Sequence, residues 1–168
     1  MTSVEPLDSG RLARGGIAFA RIVLGMLWMT QVVWKAPPDF DLLSRFTGYA
    51  VTHEVFAPWS FVVEKFILPN MTLFGWVTII TEGSIAAFLL LGLATRFWAL
   101  VGMSMTVTII LSEINAPHEW SWAYYMMFTL HVVVLATAAG RAAGLDGILR
   151  PAWKSHEGRL SRFLAAAS

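Results

Sequence analysis

The stretch from Pro69 to Arg96 constrains this chain most, because it is long, apolar and carries a single acid near its centre. Between Met71 and Leu93 the only ionisable side chain is Glu82. A helix rises about 1.5 Å per residue, which places Glu82 roughly 20 Å from Arg96 and near the middle of a ~30 Å hydrocarbon layer. A carboxyl group at that depth is costly, so we expect Glu82 to face protein or a water-filled cavity and to have partners there.

The composition is that of a membrane protein. Hydrophobic residues make up 57% of the 168 residues and charged residues 14%, against about 25% charged in a soluble domain. Eight Trp and eleven Phe fit a lipid-facing surface with aromatic anchors at its edges. The net charge of +1 and the basic residues at the membrane edges indicate no nucleic-acid partner. The chain has no cysteine, which excludes disulfide exchange, thiolate-bound metals and Fe–S clusters held by its own thiols.

The apolar segments predict an all-α integral membrane protein, a bundle of four transmembrane helices. Pro37 and Pro38 end the first span, and Gly140 ends the fourth. Only a short turn separates the second span from the third, so those two helices are expected to be antiparallel neighbours. The four spans are expected at about 17–34, 71–93, 97–111 and 120–139.

The segments outside the spans complete the predicted domain organisation. Residues 1–16 form a polar arm, 17–139 the membrane domain, and 140–168 a basic tail on the membrane surface. The outer capping loop, residues 35–68, is expected to form two interfacial helices, at Asp41–Val55 and Trp59–Leu68. The first span lies where a signal peptide would, but it is too long, contains an arginine and lacks an Ala-x-Ala-like site, which favours an uncleaved span.

The basic residues predict the orientation of the bundle. The outer side carries Lys35, Arg45 and Lys65, whereas the arm, the turn at Arg96 and the tail carry most of the other lysines and arginines. By the positive-inside rule both termini are cytoplasmic. The expected location is a bacterial or archaeal-type plasma (inner) membrane.

Arg21 interrupts the first span about five residues from its start, roughly 8 Å inside the membrane edge. Two positions are open to its guanidinium. It could extend down to the lipid headgroups, or it could reach up toward Glu82.

His131 lies at a depth similar to that of Glu82, roughly 16 Å from the outer face of the membrane. One interpretation is that the two side chains hydrogen-bond across the bundle and only hold helices together. The other is that they are the catalytic groups of an intramembrane pocket, where they hydrogen-bond and protonate a quinone. In that hypothesis Arg21 and Tyr124 also contact the quinone, and protons pass outward along Glu113 and Tyr124.

The remaining motifs add no second cofactor. His53 and His118 lie among carboxylates in the outer connections, but their spacing matches no metal-ligand motif, and a solvated rim explains them. No metal, haem, Fe–S or flavin site is evident. A nucleophile elbow, a phosphate-binding loop and a dinucleotide fingerprint are absent from the sequence.

Three blocks of the sequence resemble the DoxX family, and together they cover most of residues 17–149. In the block ARIVLGMLWMTQVVWK, the family's arginine, glycine and helix-end lysine correspond to Arg21, Gly25 and Lys35. In TEGSIAAFLLLGLATRFWAL, its glutamate, glycine, Leu-Gly pair and Thr-Arg pair correspond to Glu82, Gly83, Leu91, Gly92, Thr95 and Arg96. AAGRAAGLDGIL is similar to its glycine-arginine and leucine-aspartate ending, with one extra residue, at Gly140, Arg141, Leu145 and Asp146.

The resemblance implies a four-helix membrane bundle and kinship with the DoxD subunit of thiosulfate:quinone oxidoreductase, which passes electrons from thiosulfate to membrane quinone. The leading hypothesis is a membrane subunit of a quinone-linked redox assembly, with an outer basic cluster of Lys35 and Lys65 that attracts an anionic donor. The alternative is a non-catalytic anchor that stabilises a larger membrane complex. Both imply lipid as a partner, together with other subunits or further copies of this chain. A transporter is disfavoured, because no inverted repeat is detectable.

Overall fold

The computed structural model describes residues 9–35 and 37–168, and within those ranges the chain is helical and has no strands. Helices account for 82% of the structure. The α-helices in chain order are α1 (Ser9–Val33), α2 (Asp41–Thr52), α3 (Ala57–Val62), α4 (Met71–Leu91), α5 (Thr95–Glu113), α6 (Ser121–Thr137), α7 (Leu145–Ser155) and α8 (Arg159–Ala167).

Three helical segments of the described chain are long and apolar enough to cross a membrane. They are Gly10–Val33, Ala57–Leu91 and Thr95–Glu113. Helix α6 is also apolar but is shorter, with 17 residues. The expectation of an all-helical membrane protein is therefore confirmed. The fourth span, the orientation and the interfacial position of the helices in the capping loop stay predictions.

The second long segment differs from the sequence-based expectation. Trp59–Leu68 was expected to be a separate interfacial helix, but α3 continues through a π-helical turn, Val63–Ile67, and a 3₁₀ turn, Leu68–Asn70, directly into α4. A proline inside a helix removes one backbone donor, and other donors must satisfy the freed carbonyl groups. Beside Pro69, the Asn70 side chain donates to the Phe66 carbonyl oxygen at 2.9 Å. The helical segment therefore continues past Pro69 into α4.

The core lies where α1 packs along α4 and α5 packs along α6. Its fully buried members include Leu24, Trp28, Ile85, Leu89 and Val134. Gly25 of α1 has no side chain, and this allows α1 and α4 to approach closely. A Cβ at that position would lie only 3.1 Å from the backbone nitrogen of residue 90 on α4. Small residues at such crossings are typical of membrane helix packing.

The turn between α4 and α5 is held by an acid from the C-terminal segment. The carboxylate of Asp146, which is fully buried, accepts hydrogen bonds from the backbone N–H groups of Ala94 at 2.7 Å and Thr95 at 2.9 Å. Its own N–H donates to the Gly92 carbonyl oxygen at 2.8 Å. The first N–H groups of a helix have no partner within the helix, and a negative charge there is favourable. Asp146 therefore caps α5 and docks α7 on the bundle; we refer to these contacts as the Asp146 junction.

Gly140 provides a test of the Asp146 junction. A methyl group at this position would overlap Thr95 Oγ1 and Asp146 Oδ2. Gly140→Ala is therefore expected to lower the free energy of unfolding by roughly 1–3 kcal/mol, as overpacked sites do. The measurement is the thermal unfolding of the purified protein in mild detergent.

Gly48→Ala in α2 is the matched control, because no atom lies within 4 Å of the added Cβ. It should be neutral or slightly stabilising, since alanine favours helix over glycine. Equal unfolding midpoints for the two variants would show that the Asp146 junction is not closely packed.

Candidate functional site

Glu82 on α4 pairs with Lys35, which follows the end of α1. Lys35 Nζ lies 2.7 Å from Glu82 Oε2, and the side chains are 4% and 1% exposed. The same ammonium donates to the Gln31 carbonyl oxygen at 2.8 Å and lies 4.3 Å from the centre of the Trp34 ring. Glu82 therefore faces protein. A contacting cation, held by further contacts of its own, offsets the cost of burying the carboxylate.

Lys35 does not form the expected exposed basic cluster with Lys65. Lys65 is 53% exposed and pairs with the neighbouring Glu64 at 2.8 Å, on the surface. Lys35 instead turns back from the end of α1 into the bundle. The expectation failed because it assigned a helix-end lysine to the outer surface, whereas its long aliphatic stem can carry the charge to a buried acid.

A cavity of about 360 Å³, hereafter the Glu82 cavity, lies beside this ion pair. Its volume falls within the range of small-molecule sites, roughly 300–1,000 Å³. Its lining is mainly apolar and aromatic and includes Trp34, Trp59, Phe74, Val77, Met105 and Ile109. Its polar lining includes Gln31, Lys35, Thr78, Glu82, Thr108 and Glu113. The arrangement is an apolar chamber with a donor and an acceptor of opposite charge on one wall.

A second cavity of about 490 Å³, hereafter the Tyr124 cavity, adjoins the first. Both are lined by Gln31, Trp34, Ile109 and Glu113. The Tyr124 hydroxyl donates to Glu119 Oε2 at 2.6 Å and lies 3.4 Å from Glu113 Oε2. Glu113 therefore borders both chambers, and Tyr124 links it to Glu119. This chain of carboxyl and hydroxyl groups extends from the Glu82 cavity to the exposed loop that contains Glu119.

His131 on α6 is fully buried and is not among the residues that line these two cavities. Its Nε2 accepts a hydrogen bond from Trp28 Nε1 at 2.8 Å, and its Nδ1 lies 2.7 Å from the Met127 carbonyl oxygen. The indole can only donate, so Nδ1 carries the proton and donates to Met127. Both ring nitrogens are therefore used, and the ring holds α6 against α1. The structure does not bring His131 into the Glu82 cavity.

Arg21 takes neither of the two positions considered from the sequence. Its guanidinium, 1% exposed, donates to the carbonyl oxygens of Leu89 at 2.8 Å, Leu90 at 3.2 Å and Ala143 at 3.1 Å. The last carbonyl groups of a helix have no partner within it and attract cations. Arg21 thus caps α4 and joins it to the segment after α6. Leu89 follows Glu82 by about two helical turns, roughly 10 Å along the axis.

Two partners were not found by sequence reasoning. Lys35 could have been predicted from the sequence, since a buried acid requires a buried base and this lysine ends an apolar helix. Trp28 gave a weaker indication, which is that a tryptophan inside a span needs an acceptor for its N–H group. The sequence did not specify that Lys35 would pair with Glu82 or that Trp28 would pair with His131.

No group of three or more His, Asp or Glu side chains that could hold a metal ion is found in residues 9–35 and 37–168.

Comparison with known families adds one finding. The model of the family described as "TQO small subunit DoxD" matches residues 17–167, nearly the whole chain. This chain belongs to the DoxD family. Searches of curated proteins and of solved structures give no match. The resemblance to DoxX proteins is thereby confirmed.

The family-like residues of this DoxD chain separate into two groups in the structure. Glu82 and Lys35 form the ion pair on the wall of the Glu82 cavity. Arg21 and Asp146 lie at the other end of the bundle and bond to backbone groups there, including the N–H group of Thr95. The first group lines a cavity, whereas the second holds helices together.

The Trp28–His131 contact is expected to stabilise the DoxD chain. Trp28→Phe removes the N–H donor and leaves His131 Nε2 buried without a partner, which costs roughly 1–3 kcal/mol. The smaller ring leaves additional empty space. Trp122→Phe is the matched control, because Trp122 is 66% exposed. Thermal unfolding in detergent should show a clear loss for the first variant and little change for the second; equal losses would argue against a structural role for the contact.

Proposed function

We propose that this DoxD chain is the membrane subunit of a quinone-linked redox assembly and that the Glu82 cavity takes the quinone head group. The observation that carries the proposal is the Lys35–Glu82 pair on the wall of an apolar cavity. The family description, in which TQO denotes thiosulfate:quinone oxidoreductase, supports a quinone as the ligand. The alternative role is a non-catalytic anchor that stabilises a larger membrane complex.

The residues of the Glu82 cavity suit a quinone. A quinone has a flat apolar ring with carbonyl oxygens at its edge, and the cavity offers aromatic walls from Trp34, Trp59 and Phe74. Ligand sites of this kind combine apolar walls with a few well-placed polar groups. A lysine ammonium has three donors, of which Glu82 and the Gln31 carbonyl oxygen use two. One donor of Lys35 is therefore available to a carbonyl oxygen of the ligand.

The side chains of the cavity would bind the ligand and supply protons. A bound quinone supplies the electron acceptor, and its reduction requires two protons as well as two electrons. Lys35 would position one oxygen by hydrogen bonding, and the Glu82 carboxylate would accept a proton beside the ring and pass it on. Glu113, Tyr124 and Glu119 provide a path for protons between the Glu82 cavity and the exposed loop. The electrons come from a partner subunit or from the substrate.

Arg21 and His131 enter the proposal as positioning residues. Arg21 fixes the end of α4, the helix that carries Glu82. His131 fixes α1 through Trp28, and α1 leads into Lys35. Tyr124 acts in the path for protons and lines the neighbouring cavity. In this form of the proposal, ligand contact falls to Glu82 and Lys35.

We also propose four membrane crossings, with both termini cytoplasmic and the protein in a plasma membrane of bacterial or archaeal type. Helix α6 would be the fourth span, since 17 residues extend about 25 Å. The domain division into 1–16, 17–139 and 140–168 follows from that topology. The excess of arginine and lysine in the arm, the α4–α5 turn and the tail supports the orientation.

Quinone binding can be tested with variants of the ion pair. Lys35→Met/Glu82→Gln removes both charges together, so no unpaired charge remains buried, a change that membrane and soluble cores tolerate better than loss of one partner. We expect quinone affinity to fall at least about tenfold, the cost of one lost hydrogen bond to a charged group. The measurement is quinone titration of the purified protein in detergent, followed by intrinsic tryptophan fluorescence.

Glu64→Gln/Lys65→Met is the matched control, because it removes the same two charges from the exposed pair. Its quinone affinity should equal that of the natural chain. Unchanged affinity in the Lys35/Glu82 variant would refute the proposed site, and absence of quinone binding by the natural chain would favour the anchor role.

The proposed topology can be tested with single cysteines, because the chain has none of its own. Glu54→Cys and Glu157→Cys lie at exposed positions in the capping loop and in the tail. A membrane-impermeant maleimide added to intact cells should label the first and not the second. Permeabilised cells should show labelling of both. Labelling of both in intact cells would mean an even number of crossings between them, which contradicts the three crossings proposed here between these positions.

A further inference from the structure

The Glu82 cavity has a closed end and an open side. Its charged wall is the closed end, since the Lys35 and Glu82 side chains are only 4% and 1% exposed. Among the described residues that line the cavity, only Val62 and Val77 have exposed side chains, at 38% and 51%. Both valines belong to the continuous helical segment Ala57–Leu91. The opening therefore lies along this segment; we refer to it as the valine mouth.

The surface around the valine mouth is apolar. Leu73 and Ile80 lie about one turn before and one turn after Val77 on the same face of α4, and each is 63% exposed. Phe61, next to Val62, is 55% exposed. About 21 Å of helix separates Val77 from the C-terminal end of α4, which places it within a ~30 Å hydrocarbon layer where α4 crosses the membrane. An opening at that depth, among exposed apolar side chains, faces lipid.

An irregular turn keeps the helical segment directed at the cavity. Val62 and Ile67 both line the cavity, although residues five positions apart point about 140° away from each other around an α-helix. The π-helical turn Val63–Ile67 lies at this point, and the hydrogen bonds of a π-helix join residues five apart. The wider turn therefore allows both side chains to face the cavity. Turns of this kind are frequent at functional sites.

The Tyr124 cavity opens at a different place. Its exposed lining includes Glu119 and Trp120, in the connection between α5 and α6, and Trp120 is 64% exposed. A carboxylate therefore lies at the rim of that opening, whereas the rim of the valine mouth is apolar. The two adjoining cavities thus have one opening suited to protons and water and another suited to an apolar molecule.

We propose that the ligand of the Glu82 cavity is a quinone with a long isoprenoid tail, which enters sideways from the lipid through the valine mouth and leaves its tail in that opening. The inference rests on the proposed function and adds to it the entrance and the tail. An isoprenoid chain is as apolar as the lipid around it, so it gains nothing by leaving the membrane. The valine mouth lets the head group reach Lys35 and Glu82 while the tail stays against Leu73, Ile80 and lipid.

The test narrows the valine mouth with larger side chains in the full-length chain. Val62→Phe/Val77→Phe places two rings in the opening, whereas Leu73→Phe/Ile80→Phe places two rings at exposed apolar positions that do not line the cavity. The probes are a ubiquinone with a full-length isoprenoid tail and its tail-free benzoquinone analogue. Each is titrated into the purified protein in mild detergent and followed by the quenching of tryptophan fluorescence.

The mouth variant should bind the long-tailed quinone at least about tenfold more weakly, because the tail would overpack the narrowed opening. Its affinity for the tail-free quinone, and both affinities of the control variant, should stay within about threefold of those of the natural chain. Unchanged affinity of the mouth variant for the long-tailed quinone would overturn the valine mouth. An equal loss for both quinones would also overturn it, since the substitutions would then act on the cavity and not on a tail.

The proposed function survives either of those results if the natural chain binds the tail-free quinone and Lys35→Met/Glu82→Gln weakens that binding. A natural chain that binds neither quinone would overturn both proposals. Should the double variant at the valine mouth fail to fold, Val77→Phe alone is expected to weaken binding of the long-tailed quinone at least about threefold. Unchanged affinity in that single variant overturns the valine mouth.

Discussion

The structure depends on one contact between opposite charges, that of Lys35 with Glu82, in the apolar interior of the bundle. Each of these groups alone would cost several kcal/mol to remove from water, and only close contact with the other, supported by further hydrogen bonds, offsets that cost. The contact fixes the end of α1 against the middle of α4. It also leaves a charged donor and a carboxylate facing the same cavity, which is the arrangement on which the proposed function rests.

The two ends of the bundle use polar groups in different ways. At the Asp146 junction, Arg21 and Asp146 bond to backbone groups that helix ends leave without partners. Those contacts hold α4, α5 and α7 together, although Arg21 Nε and Thr95 Oγ1 are buried there without a hydrogen-bond partner. At the Glu82 cavity, Lys35 and Glu82 contact each other directly at 2.7 Å and line an open chamber. The proposed ligand site is at the second end because the charged pair there lines a cavity.

Glu82 and His131 show why equal depth in a membrane does not imply contact. Both lie near mid-depth by residue count, and both are fully buried. The rotation of each helix about its axis turns Glu82 toward Lys35 and His131 toward Trp28. Periodicity assigns a residue to a face of its own helix but does not say which neighbour that face meets. The position of His131 also requires Gly102, since a Cβ there would overlap the imidazole ring.

The sequence alone determined that the chain is helical, that it belongs in a membrane, and that Glu82 needs a partner. These properties follow from the free energy of transferring each short segment out of water. That free energy does not depend on how the segment packs against others. Tertiary structure decided that Lys35 is that partner, that α3 runs into α4, and that Asp146 caps a helix 51 residues before it. Those outcomes depend on how whole helices rotate and approach one another, which is set by close packing across the entire bundle.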